Sequence, residues 1–107
     1  MTRLATEGEL EEELLRLYRK WSTLGYRASR FYQTFTKGCK RYKGSVNTVT
    51  DTVSKYGTSQ GFDRLREMGR LDLTLEKRIV LNPQWSHLFS LRLCNFAALK
   101  LEQAKSK

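Results

Sequence analysis

The chain has 107 residues, of which 39% are hydrophobic and 12 are aromatic, which excludes wholesale disorder and fibrous classes and predicts a single domain over residues 1–107. Twenty Lys and Arg residues against eleven Asp and Glu residues give a net charge of +9, so an acidic partner is the first expectation. The apolar runs are far shorter than the roughly twenty residues that a transmembrane helix needs, and residues 1–13 lack the apolar core of a secretory signal. We therefore expect a cytoplasmic protein without a membrane partner, frayed at residues 1–5 and 105–107.

The first predicted helix follows apolar residues at three- and four-residue steps between positions 10 and 24. Thr6 is expected to cap it, because Glu9 stands at the capping-box spacing. Five glutamates crowd its start, where they either complement the positive end of the helix dipole or form an interaction surface: Glu7, Glu9, Glu11, Glu12 and Glu13. A second helical stripe covers residues 28–35 and ends near Gly38.

Residues 45–55 combine helical and strand features. The valines of this segment keep helical spacing, whereas its many β-branched residues favour a strand. We predict a helix, because Ser45 can serve as its N-cap and Gly57 follows where the helix would end. An isolated strand would also lack a partner for a sheet.

The remaining residues predict three more helices joined by short turns. They cover residues 62–68, residues 75–81 with Asp72 or Thr74 as the cap, and a final segment capped by Ser90. Their apolar positions are Phe62, Leu65, Met68, Leu75, Ile79, Val80, Leu91, Cys94, Ala97, Ala98 and Leu101. The chain thus predicts an all-α fold, a compact bundle of five or six short helices with Gly-marked turns.

The net charge is distributed unevenly along the chain. Residues 1–15 hold one basic and five acidic residues. Residues 16–55 hold ten basic residues and one acidic residue, and residues 56–107 hold nine basic and five acidic residues. Between Arg16 and Lys43 there are nine basic residues and no acid. Each Lys or Arg that neutralises a phosphate releases counterions and raises affinity without reading base sequence. We therefore predict an interface for DNA or RNA formed by a basic set of residues: Arg16, Arg19, Lys20, Arg27, Arg30, Lys40, Arg41, Tyr42 and Lys43.

Aromatic residues are interleaved with these basic residues. Tyr26, Tyr32 and Tyr42 would stack on unpaired bases, although tyrosines on helices more often pack into a core. The alternative interpretation of the whole basic run is a solvated face that keeps the protein soluble.

A second group of basic residues flanks the turn at Gly69 and comprises Arg64, Arg66, Arg70, Lys77 and Arg78. Two short helices around this turn have the dimensions of a helix-turn-helix, in which the later helix, residues 75–81, would enter a major groove. Ordinary helix packing explains the same pattern, and Glu76 interrupts the basic side of that helix.

The residue patterns of common catalytic and metal sites are missing from the sequence. Cys39 and Cys94 are far apart and belong to no Cys-x-x-Cys pair, which predicts two reduced thiols. His87 is the only histidine, and the carboxylates of residues 51–76 alternate with basic residues as surface helix pairs do. No Gly-rich phosphate loop is present. We expect no enzymatic activity, no cofactor and no metal.

Residues 61–76, GFDRLREMGRLDLTLE, resemble a pattern shared by small bacterial helical domains of uncharacterised function. The resemblance extends to residues 14–28 and 82–89. Some of those domains stand alone, and others form the ends of larger proteins, including some linked with DNA restriction. The resemblance implies a helical domain in a bacterial, cytoplasmic setting and supplies no site residues. The last helix of those domains often starts with acidic residues, whereas residues 90–94 are apolar and basic here.

Two functions follow as expectations. The first is a small, non-enzymatic accessory protein that binds nucleic-acid backbone through the basic set. The alternative is a protein-interaction or dimerisation module that docks on a larger, defence-type protein. It is motivated by four large aromatic residues that would mark a partner surface if exposed: Trp21, Trp85, Phe89 and Phe96.

Overall fold

The protein is a succession of short helices. The computed structural model describes residues 4–36, 38, 40, 42–55 and 60–105. Its α-helices are α1 (Glu7–Thr23), α2 (Ser29–Phe35), α3 (Ser45–Ser54), α4 (Gln60–Glu67) and α5 (Leu91–Lys105). A 3₁₀ turn (Leu71–Leu73), a π-helical turn (Glu76–Val80) and a second 3₁₀ turn (Ser86–Leu88) lie between α4 and α5. No strand occurs among the residues described, so the prediction of an all-α chain with five or six helices is confirmed.

Internal contacts divide the chain into two compact units, the first unit (residues 1–48) and the second unit (residues 49–107). The single domain expected over residues 1–107 stays a prediction. The fraying expected at residues 1–3, 106 and 107 lies outside the described residues, and α5 remains helical to Lys105. None of the helices in the described part of the chain has both the length and the apolar character that crossing a bilayer requires.

The first unit is built on α1, which begins as predicted. The Thr6 hydroxyl accepts a hydrogen bond from the backbone N–H of Glu9 at 3.3 Å. Tyr18 and Leu24 of the predicted apolar stripe are half-buried, and its other four residues are buried: Leu10, Leu14, Leu17 and Trp21. Helix α2 packs against α1 through aromatic rings, with centroids 4.9 Å apart for Tyr18 and Tyr32 and 5.6 Å apart for Trp21 and Phe31.

Helix α3 resolves the ambiguity of residues 45–55 in favour of a helix. Ser45 is its first residue and not its cap, so that detail of the prediction was wrong. Gly44 precedes it with a φ of +92°, a conformation that glycine adopts readily, and its carbonyl accepts the first helical hydrogen bond from Thr48. The Ser45 hydroxyl donates instead to the backbone carbonyl of Glu7 at 3.0 Å.

In the second unit, two of the predicted caps are confirmed. The Thr74 hydroxyl accepts from the backbone N–H of Lys77 at 3.2 Å, and the Ser90 hydroxyl accepts from that of Leu93 at 3.1 Å. The helix predicted over residues 75–81 is a π-helical turn of five residues, Glu76–Val80. Its hydrogen bonds join residues five positions apart, as in the bond that the backbone N–H of Leu81 donates to the Glu76 carbonyl at 3.0 Å.

The apolar core of the second unit includes a cluster of Phe62, Leu101 and Ala104, against which Leu71 and Leu81 pack. Phe62 and Leu101 were both predicted as apolar positions of their helices, and the cluster joins α4 to α5.

Two predicted apolar positions are exposed. Met68 is 38% exposed because it lies in the turn after α4, and Leu91 is 76% exposed because it begins α5 directly after the capping residue Ser90. The residues that complete the buried side of α5 are Leu93, Lys100 and Ala104.

Candidate nucleic-acid interface

Three members of the basic set lie on the exposed side of α1. Arg19 and Lys20 come three and four residues after Arg16, which places all three together on the side away from the buried stripe. The Nε of Arg16 lies 3.3 Å from Oε2 of Glu13, so the charge of Arg16 is partly neutralised within α1. Arg19 and Lys20 form no ion pair with any other described residue.

The turn between α1 and α2 presents two more cations. The backbone N–H of Tyr26 donates to the Trp21 carbonyl at 2.9 Å, and the two rings pack with centroids 5.6 Å apart. This packing fixes the backbone from which the exposed Arg27 projects. Arg30 is exposed on α2, whose other side carries the rings that contact α1. Neither arginine pairs with an acid in the described part of the chain.

The loop before α3 contributes Lys40, Tyr42 and Lys43, all exposed. The backbone N–H of Lys43 donates to the Thr34 carbonyl at 2.8 Å. The Thr48 hydroxyl donates to the same carbonyl at 3.0 Å, so the end of this loop is held between α2 and α3.

One predicted site residue, Arg41, lies outside the described residues, as do the neighbouring Lys37 and Cys39. The structure therefore places eight of the nine residues of the basic set, and all eight belong to the first unit.

The tyrosines differ in their surroundings. Tyr26 and Tyr32 are half-buried and pack against other rings, which agrees with a core role for both. Tyr42 is 44% exposed and contacts no other ring among the residues described. Stacking on an unpaired base therefore fits Tyr42 better than the other two.

Glu7 lies beside the end of the basic run, although the sequence did not connect it with the basic set. Oε1 of Glu7 accepts a hydrogen bond from the backbone N–H of Val46 at 3.3 Å. A Cβ placed on Gly44 would lie 2.9 Å from the same oxygen. The basic run is free of acids in sequence but not in space, because Glu7 reaches its end and Glu13 pairs with Arg16. No local pattern predicts a contact between residues 39 positions apart.

The second group of basic residues is partly neutralised by its own acids. Arg66 lies 3.7 Å from Asp63, and Arg70 lies 3.2 Å from Asp72. The hydrogen bonds that Arg70 donates to Asp72 and the negative charge of Asp72 raise the pKa of Arg70 above its already high ordinary value. The recognition helix considered for residues 75–81 is a single π-helical turn, Glu76–Val80, which favours ordinary packing over a helix-turn-helix.

The same turn buries a carboxylate that the sequence placed on the surface. Glu76 is 3% exposed, so its assignment to surface helix pairs was wrong. Burial raises the pKa of Glu76, and the charge of Lys100 offsets part of this effect. Lys100 is itself only 6% exposed, and burial lowers its pKa. The spacing of Lys100 from Ala97 and Ala104, on the apolar side of α5, is the sequence signal that would have predicted the burial of Lys100.

The aromatic patch expected for a partner surface does not form as proposed. Trp21, Trp85 and Phe89 are only 4%, 2% and 8% exposed, because they fill the cores of their units. Phe96 is half-buried.

The described residues contain no group of three His, Cys, Asp or Glu side chains placed to hold a metal ion. Cys94 is a free thiol, and its Sγ lies 3.8 Å from the Val80 carbonyl oxygen. His87 is exposed.

Comparisons of the chain with protein-family models, with curated proteins and with solved structures found no match in any of the three.

Proposed function

We propose that this chain is a small, non-enzymatic accessory protein that binds DNA or RNA by contacting the phosphate backbone through the basic set. The observation that carries the proposal is the number of unpaired cations exposed in the first unit. In the first unit, five cations are exposed and form no ion pair with a described residue: Arg19, Lys20, Arg27, Arg30 and Lys40. In the second unit, Arg66 and Arg70 are each paired with a nearby acid.

Unpaired exposed cations suit a polyanion. An isolated Lys or Arg on a surface retains its full charge, and it releases condensed counterions when it meets a phosphate. The resemblance of residues 61–76 to small bacterial helical domains, some of them linked with DNA restriction, supports a bacterial, cytoplasmic setting for this activity. A face that merely solubilises the protein would carry the same charges but would show no saturable binding.

The test is a fluorescence titration against labelled duplex DNA, single-stranded DNA and RNA over a series of salt concentrations. Five phosphate contacts predict a slope of about −4 to −5 for log K against log salt on duplex DNA. No binding at low salt, or binding without a salt dependence, would contradict the proposal.

A matched pair of variants separates a local interface from an effect of total charge. Arg27→Glu with Arg30→Glu and Arg66→Glu with Arg70→Glu change the net charge by the same amount. We expect the first double variant to weaken binding at least tenfold more than the second, for all nucleic-acid sequences alike. Equal weakening would assign the binding to net charge alone.

A further inference from the structure

An open groove of about 630 Å³ lies in the second unit between α3 and α5. Thr50 and Ser54 line it on the α3 side, and Arg92, Phe96 and Leu99 line it on the α5 side. All of its lining residues belong to residues 49–107, so the groove is a feature of this unit alone. Its lining contains no residue of the basic set.

The α5 side of the groove combines apolar side chains with one cation. Arg92, Phe96 and Leu99 stand at four- and three-residue steps, which aligns them along one side of α5. Leu99 is 54% exposed, and Phe96 is half-buried. A row of apolar side chains in a groove beside a helix is the surface on which amphipathic helices dock in other proteins.

A buried lysine joins the two helices that flank the groove. Nζ of Lys100 donates a hydrogen bond to the Val53 carbonyl of α3 at 2.7 Å. The same nitrogen lies 4.9 Å from the centroid of the Phe96 ring. Lys100 therefore ties the α3 wall to an aromatic residue of the α5 wall. A preformed groove lowers the cost of ordering its residues when a partner binds.

The charge of the groove indicates what it binds. Arg92 is the single charged side chain among the described residues that line it, and Arg92 forms no ion pair with a described residue. A carboxylate on the ligand would complement it. A second copy of the chain is disfavoured, because each copy carries a net charge of +9. An open groove also leaves a small molecule largely in water, whereas small-molecule sites enclose most of the ligand.

We propose that the α3–α5 groove binds an acidic amphipathic helix of a partner protein. The apolar side chains of that helix contact Phe96 and Leu99, and one of its carboxylates pairs with Arg92. This inference does not depend on nucleic-acid binding by the first unit.

The probe is a labelled, hydrocarbon-stapled helical peptide of about 15 residues, with leucines at positions i, i+4 and i+7 and glutamates beside them. Its binding to the full chain is measured by fluorescence anisotropy. We expect saturable binding that becomes at least tenfold weaker with Leu99→Ser and with Arg92→Glu. Both side chains are exposed, and circular dichroism checks that both variants fold.

Two controls place the peptide in the groove. Leu91→Ser makes the same chemical change at a more exposed leucine of α5 that does not line the groove, and it should leave peptide binding unchanged. The double variant Arg27→Glu with Arg30→Glu should also bind the peptide normally, although its binding of nucleic acid is weakened.

Several results would overturn the inference. They are failure of the wild-type chain to bind the peptide, binding that Leu99→Ser and Arg92→Glu leave intact, and loss of binding in the Arg27 and Arg30 double variant. Concentration-dependent dimerisation that Leu99→Ser abolishes would assign the groove to a second copy instead. None of these results bears on the salt dependence of nucleic-acid binding.

Discussion

Glu7 and Val46 join the beginnings of two helices. The Glu7 carboxylate accepts the backbone N–H of Val46 in the first turn of α3, while Glu7 itself is the first residue of α1. A single negative charge thereby lies at the positive ends of two helix dipoles. The contact also holds the end of the loop before α3, because Lys43 and Gly44 directly precede the first turn of that helix.

Replacing Gly44 by alanine is expected to lower the free energy of unfolding by about 2–3 kcal/mol. A positive φ costs a side chain about 1–2 kcal/mol. The new Cβ also displaces the Glu7 carboxylate, which lies 2.9 Å from it, and the lost hydrogen bond to Val46 adds about 1 kcal/mol. Urea unfolding followed by circular dichroism measures the loss.

Gly25→Ala is the matched control for that measurement. Gly25 has a φ of +90°, but a Cβ there meets nothing within 4 Å. Its replacement should show the conformational cost alone. Equal losses for Gly25→Ala and Gly44→Ala would mean that the Glu7 contact contributes nothing to stability.

Removing the ring of Tyr42 is expected to weaken single-stranded binding by about 1–3 kcal/mol, because an exposed ring supplies a stacking surface for one unpaired base. Duplex binding should change little, since paired bases are already stacked. Tyr42→Ala and Tyr42→Phe are compared by titration on both substrates. Tyr42→Phe keeps the ring and should behave as the wild type. Equal effects of Tyr42→Ala on both substrates would exclude stacking.

Replacing Lys100 by methionine is expected to lower the free energy of unfolding by about 3–5 kcal/mol. The change removes the donor to the Val53 carbonyl and the charge that offsets the burial of Glu76. In a Glu76→Gln background, which lacks the buried charge, Lys100→Met should cost less stability than it does in the wild type. Denaturant unfolding of the four proteins in this cycle measures the coupling, and strict additivity would show that the two residues act independently.

The pH dependence of stability is expected to report on Glu76. Burial raises its pKa in the folded protein above the ordinary value of 4.5, so the folded state binds more protons than the unfolded state between these two pKa values. The stabilising contribution of protonated Glu76 is complete below pH 4.5 and is lost as the pH rises through the folded pKa. The slope reaches at most about 1.4 kcal/mol per pH unit.

Glu76→Gln tests this assignment, because glutamine resembles the protonated acid and does not titrate. Relative to the wild type, the variant should become progressively more stable as the pH rises through this window. Parallel stability profiles for the two proteins would locate the pH dependence elsewhere.

Local patterns were sufficient for the helical fold. Apolar residues at helical spacing and hydroxyl caps act over three or four residues, so α1 with its Thr6 cap and α5 with its Ser90 cap were predictable. The exposure of Arg27 and Arg30 was also predictable, because a cation without a partner stays in water.

The contacts that assign roles to individual side chains required the tertiary structure. Glu7 reaches the start of α3 across 39 residues, and Lys100 reaches Val53 across 47. The burial of Trp85 and Glu76 also depends on which elements pack together. The sequence by itself determined that the chain is helical and that its positive charge is concentrated before residue 44. Only the tertiary structure decided which charges are buried and where a groove opens, because these depend on contacts between residues far apart in the chain.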